Sequence, residues 1–144
     1  MGGDSFAVNQ SSTYNNMQAW YVFNTSSWWH SAEGTPQWLS WYNPKALKIN
    51  SLSFSVGNGG NFPDTPKNYA IQGSNDNTNW ITIYENTNTA TSPIPLKLNI
   101  DLKSNPNRIY KYWRYYISSF CARAFGNMRN DLEFDAQEQV TIKL

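Results

Sequence analysis

The chain has 144 residues, enough for one domain with a hydrophobic core and too few for two comfortable ones. Charged residues make up 15% and aromatics 16%, with seven Trp and nine Tyr, a balance opposite to that of a disordered chain. A net charge of +1 gives no electrostatic basis for binding nucleic acid or an anionic membrane.

In chain order, Met1-Gly2-Gly3-Asp4-Ser5 has neither the basic start nor the apolar stretch of a signal peptide, so no signal peptide is expected in this chain. Asn15 to Phe23 is the one segment suited to a helical turn. Leu47 and Ile49, then Leu52, Phe54 and Val56, place apolar residues at every second position, with a slip near Asn50. Tyr69 to Gln72 and Trp80 to Tyr84 are β-rich runs. Ile94, Leu96, Leu98, Ile100 and Leu102 form the cleanest strand pattern, with Lys97, Asn99 and Asp101 facing out. Tyr110 to Ile117 is aromatic and β-branched, as a central strand should be. Leu132 with Phe134, and Val140 with Ile142 and Leu144, complete the set. Turn signals separate these runs: Gly57 to Gly60 with Pro63 and Pro66, Gly73 to Asn77, Ser92-Pro93, Asn105 to Asn107, and Gly126-Asn127. Short strands at this spacing predict an all-β sandwich or barrel. No run approaches the ~20 apolar residues of a membrane-spanning helix. The lone Cys121 excludes an intrachain disulfide and reads as a small, buried apolar residue.

Catalysis finds little support. There is one histidine, His30, and none of the ten carboxylates sits in a recognisable acid/base pair. Asp131, Glu133 and Asp135 alternate and would share one solvated strand face. There is no Cys/His cluster for zinc, no Gly-x-Ser-x-Gly, and Gly57 to Gly60 does not lead into a helix as a phosphate loop would.

The most specific segment is Gln72-Gly73-Ser74-Asn75-Asp76-Asn77-Thr78-Asn79-Trp80: a strand ends, a polar turn reverses it, and a Trp re-enters the core. With Pro66 before it, this run resembles the signature of the coagulation factor 5/8 type C, or discoidin, family. Phe23-Asn24, Trp29, Ser31 and Pro36-Gln37-Trp38-Leu39 are similar to the family's early block. Tyr112-Trp113-Arg114-Tyr115-Tyr116-Ile117 and Asp131-Leu132-Glu133-Phe134 are similar to its late strands. The resemblance runs over residues 19 to 136 within a single domain of residues 1 to 144. It implies a galactose-binding-domain-like jelly-roll β-sandwich. It also implies a non-catalytic carbohydrate-binding module, extracellular or virion-borne, of a phage tail or adhesion protein or a bacterial surface enzyme. The partner is then a glycan or polysaccharide, together with other subunits or domains of a larger surface protein. The alternative is a structural or protein-interaction domain without sugar binding; membrane-surface binding, hinted at by Arg123 and Arg129 around Phe125, is a weaker third.

In the resembling modules the sugar site lies on loops at one end of the sandwich. By position the first loop offers Trp28 and His30, with Trp29 taken as core. The second offers Asn58, Asn61, Phe62 and Asp64, and its lack of Arg argues against galactose specificity. The third offers Arg123, Phe125 and Asn127, with Phe120 turned inward. Trp38, Trp41, Trp80 and Trp113 are read as core or framework, and Arg114 as stacked on an aromatic neighbour. No cofactor is required. The family often holds a structural Ca²⁺; Asn24 and Asp131 stand where its ligands would be, with fewer charges and hence a weaker site.

Overall fold

Twenty residues without a break, Gln37–Val56, form strand β3, around which the other strands assemble. The architecture is that of a computed structural model describing residues 5–24, 27–56, 65–88, 96–121 and 124–139. Strand β1 spans Ala7–Gln10, a one-turn helix α1 Trp20–Phe23, and β2 Trp29–Glu33. After β3 follow β4 (Pro66–Ser74), β5 (Ile81–Thr87), β6 (Leu96–Asp101), β7 (Ile109–Phe120), β8 (Phe125–Met128) and β9 (Glu133–Glu138). All pairings are antiparallel.

The two halves of β3 serve different layers. Gln37 to Tyr42 pairs with β1 and β7, extending the sheet order β1-β3-β7-β4-β5. Ser51 to Val56 pairs with β6, and Leu47 to Ser53 with β9. The β3–β7 register shifts between Tyr42 and Leu47, and the β3–β9 register between Ile49 and Ser51, where the sequence alternation slips at Asn50. Such an extra residue bends a strand and re-aims its side chains, so Ile49 and Leu52 both stay inside. The layers meet through Trp113, Tyr115 and Ile117 of β7 against Leu52, Phe54 and Val56 of β3 and Leu98 and Ile100 of β6, all buried. The Phe54 and Tyr115 rings lie 4.9 Å apart, edge to face. Each such side chain contributes about 1.5–3 kcal/mol by leaving water. The result is an all-β sandwich.

The Gly73–Trp80 segment explains its own residue choice. A Cβ on Gly73 would sit 2.2 Å from a Tyr110 ring carbon, so only glycine lets that ring close over β4. Asp76 accepts hydrogen bonds from Ser74 Oγ–H, the backbone N–H groups of Thr78 and Asn79, and Asn79 Nδ2–H, at 2.7–2.9 Å. Those bonds, the Asn79 backbone N–H foremost, hold its carboxyl far below the usual carboxylate range. Asn77 takes the left-handed conformation at φ 59°. Arg114 lies 4.1 Å above the Trp80 ring and 4.6 Å from that of Tyr116. Trp41 and Trp113 are core, whereas Trp38 and Trp80 are half-buried. Cys121 is only half-buried, its Sγ 3.7–3.8 Å from the carbonyls of Asn88 and Pro66. The expected terminal strand at Val140 to Leu144 lies outside the described residues.

Candidate functional site

The segments read from sequence as a first and a third loop are strands. β2 and β8 form a separate two-stranded ribbon, pairing Trp29 with Met128, His30 with Asn127, and Glu33 with Phe125. Three of the expected site residues are therefore neighbours, but on rigid backbone instead of loops. Gly126 sits between them because a Cβ there would come within 2.9 Å of the Trp29 ring. Trp29 itself is fully buried, as expected.

A partly buried polar network fixes the ribbon's position. Gln37, at the start of β3, accepts from the hydroxyls of Ser11 (2.6 Å) and Ser12 (2.7 Å). Its amide donates to the carbonyls of Ala32 and Gly34, both at 3.1 Å. Ser12 Oγ accepts from the Ala32 N–H, and its carbonyl takes the Trp29 indole N–H at 3.0 Å. The Gly126 N–H donates to Ser31 Oγ at 2.7 Å, tying β8 to β2 across 95 residues of chain. Polar groups taken out of water are costly when left unpaired, and a network in which they are paired is stiff.

Over this base lies a cluster of rings. His30 is 5% exposed, deeper than a loop-borne ligand would be. Its ring centroid is 5.2 Å from those of Tyr14 and Phe125 and 5.9 Å from that of Trp28. Nδ1–H donates to the Ser31 carbonyl at 2.9 Å, since a carbonyl can only accept; in the neutral ring Nε2 is then an acceptor. Tyr14 is 48% exposed and is the outermost ring of the cluster. It was not among the residues singled out from sequence. Its own N–H donates to the His30 carbonyl at 2.8 Å, and the His30 N–H to the Met17 carbonyl at 3.1 Å, so residues 14 to 17 strap across β2. The strap's reversal rests on Asn15 (φ 50°) and Asn16 (φ 58°), and that Asn-Asn pair was its legible signal. Trp28 is half-buried, with the Arg129 guanidinium 4.6 Å from its ring. Phe125 is half-buried, edge-on to Tyr14 at 5.9 Å.

Asn127 is 1% exposed and belongs to the inside of the ribbon, which corrects its expected place on a solvent-facing loop. Asn58, Asn61, Phe62, Asp64 and Arg123 lie outside the described residues.

The residues expected near a cation are otherwise engaged. Asp131 lies two residues before β9, against Ser55 of β3, on the side where Glu133 and Asp135 stand opposite Ser53 and Ser51. Its carboxylate accepts from Ser55 N–H (2.8 Å), Ser55 Oγ–H (2.5 Å) and Lys97 Nζ (3.0 Å). Partial burial alone would raise its pKa, but these bonds outweigh that and hold it below the usual range. A carboxylate with a lysine ammonium on it does not suit a divalent cation. Asn24 is exposed and caps α1, its N–H donating to the Trp20 carbonyl. Among the described residues no group of three His, Cys, Asp or Glu side chains could hold a metal ion.

Solved structures share this architecture. A family 32 carbohydrate-binding module of Clostridium perfringens NanJ, in complex with galactose, superposes with a TM-score of 0.67 at 15% identity, covering 92% of this chain and 93% of that one. A second C. perfringens module, CpGH89CBM32-5, in complex with GalNAc-β-1,3-galactose, gives 0.66 at 15% identity, covering 90% and 94%. The C-terminal domain of a chitobiase from Bacteroides fragilis gives 0.59 at 17% identity, covering 94% and 93%. No curated protein sequence matches the chain. The F5/8 type C domain model matches residues 7–106, well over half the chain, and this protein belongs to the F5/8 type C domain family.

Proposed function

We propose that the protein is a non-catalytic carbohydrate-binding module that docks a glycan on the ring cluster of Tyr14, Trp28, His30 and Phe125. The observation that carries this reading is the cluster itself: an imidazole floor with one strongly exposed ring, mounted on a ribbon that a partly buried network holds rigid. Sugars offer apolar C–H faces to rings and hydroxyls to hydrogen-bonding groups, and the cluster supplies both kinds of partner. The bound galactose and GalNAc-β-1,3-galactose of two similar modules support the ligand class. Glu33 is the single carboxylate on the ribbon and the strap, whereas glycoside hydrolysis calls for two flanking the bond. The domain would act outside the cell, within a larger bacterial surface enzyme or phage adhesion protein. A shallow site of this kind binds near Kd ~1 mM, about −4 kcal/mol, and gains strength from repeated copies.

Titration with galactose- and N-acetylgalactosamine-terminated oligosaccharides, followed by Trp fluorescence, tests it. A saturable change that weakens at least tenfold in both Trp28→Ala and Tyr14→Ala is expected. A folded protein silent to these sugars and to a broad glycan array would overturn the reading.

A further inference from the structure

A second concave surface lies away from the ring cluster. On the outer face of the β7-β4-β5 layer runs an open groove of about 660 Å³. Its floor follows from register: Ala70 lies between Tyr116 and Glu85, and Gln72 between Arg114 and Thr82. Alanine at the centre of the first row leaves the depression, with the Tyr116 ring beside it. The second row is a chain of bonds. Arg114, held between Trp80 and Tyr116, donates to Gln72 Oε1 at 2.6 Å, and the Gln72 amide donates to Thr82 Oγ1 at 3.2 Å. Further along, Thr87 donates to Asn68 Oδ1 at 2.7 Å.

The lining selects its occupant. Glu85 is the one charged side chain of the lining, and the Arg114 guanidinium at its end is held between Trp80 and Tyr116 and donates to Gln72, so little in the groove favours an anionic chain, nucleic acid included. It has no aliphatic side chain larger than Ala70, and a protein partner calls for an apolar centre. It is too open and too polar to enclose a small apolar ligand. Amides, hydroxyls and one aromatic wall match a chain of sugar hydroxyls and C–H faces. From Thr82 to Thr87 the lining runs five residue steps at about 3.3 Å each, roughly 17 Å, room for several pyranose rings in a row.

We propose that this groove is a second binding site, for an extended, neutral oligosaccharide chain, distinct from the ring cluster on β2 and β8. It shares with the proposed function only the class of ligand.

The ¹⁵N-labelled protein is titrated with linear β-linked hexasaccharides of glucose, mannose and xylose, and separately with galactose. At least one hexasaccharide should move the side-chain amide signals of Asn68 and Gln72 saturably. Thr82→Ala and Thr87→Ala, both exposed on edge strand β5, should weaken that response at least fivefold alone and more than tenfold together. Neither should alter the galactose response of Trp28. Groove shifts with a silent Trp28 would leave this site standing and remove the proposed function. Shifts confined to β2 and β8, or no groove shifts with any of the three hexasaccharides, would overturn the second site.

Discussion

Gln37 is the residue on which the candidate site's rigidity turns, and Gln37→Met is the sharpest test of that. Methionine keeps nearly the same length and volume and removes the amide. Four bonds go: two accepted from Ser11 and Ser12, and two donated to Ala32 and Gly34. Their costs are unequal. The Ala32 carbonyl keeps a bond from Ser31 Oγ–H at 2.7 Å, and the two serine hydroxyls can rotate toward other acceptors. The Gly34 carbonyl, on a half-buried residue, loses the bond from Gln37. At about 1 kcal/mol per net bond, and 1–3 for a polar group left buried and unpaired, the loss should be about 2–4 kcal/mol. For a chain of this size each kcal/mol shifts Tm by about 3 °C, so the drop should be roughly 6–12 °C. Urea unfolding and calorimetry give the two numbers independently. Ser12→Ala, in a double-mutant cycle with Gln37→Met, should show a coupling of about 1 kcal/mol. A loss below about 0.5 kcal/mol, or strict additivity with Ser12→Ala, would refute the claim that the network holds the ribbon.

Other outcomes follow from the same geometry. Gly73→Ala places a methyl against the Tyr110 ring and should cost about 1–3 kcal/mol by overpacking, read as a lower urea midpoint with unchanged slope; a neutral result would refute the close approach. Asp76 and Asp131 both have carboxyls held below their ordinary range, so each binds its proton more weakly folded than unfolded. Their stabilisation is present above about pH 4 and is lost as pH falls through the lowered folded values, so the unfolding midpoint should drop on acidification, and less steeply in Asp76→Asn. A cation held at a hundred times its Kd would add about 2.7 kcal/mol. Because Lys97 occupies Asp131, millimolar Ca²⁺ against EGTA should move Tm by less than about 1 °C, whereas a shift of several degrees would show that Asp131 releases the lysine.

What the sequence disclosed, and what it hid, divides along one physical line. Strands buried on one face write their position into every second residue. The pattern of Ile49, Leu52, Phe54 and Val56 gave away the second half of β3 and even its bulge, and Trp113, Tyr115 and Ile117 gave away β7. The Arg114 stack was legible because Trp80 closes the motif turn beside a strand of aromatics. The ribbon escaped because Trp29, His30 and Ser31 are all buried, as are Gly126, Asn127 and Met128. With no exposed face there is no alternation, and segments of four and five residues then look like loops. Tyr14 escaped for a different reason: the Asn15-Asn16 pair marks a reversal, but nothing local says that the strap it forms lies over β2.

That strap and network bear directly on affinity. A site worth only about −4 kcal/mol has little to spend on ordering its own side chains, at 0.5–1.5 kcal/mol for each one immobilised on binding. Four rings free to move before binding would erase most of it. The cluster works as a sugar platform only if its order is already present in the free protein, which the Gln37 bonds, the Gly126–Ser31 tie and the 14–17 strap accomplish before any ligand arrives. Gln37→Met touches no ring of the cluster, yet on this account it should weaken glycan binding several-fold at temperatures where the variant is still fully folded. An unchanged Kd in a folded Gln37→Met protein would mean that the rings order themselves and that the network serves the fold alone.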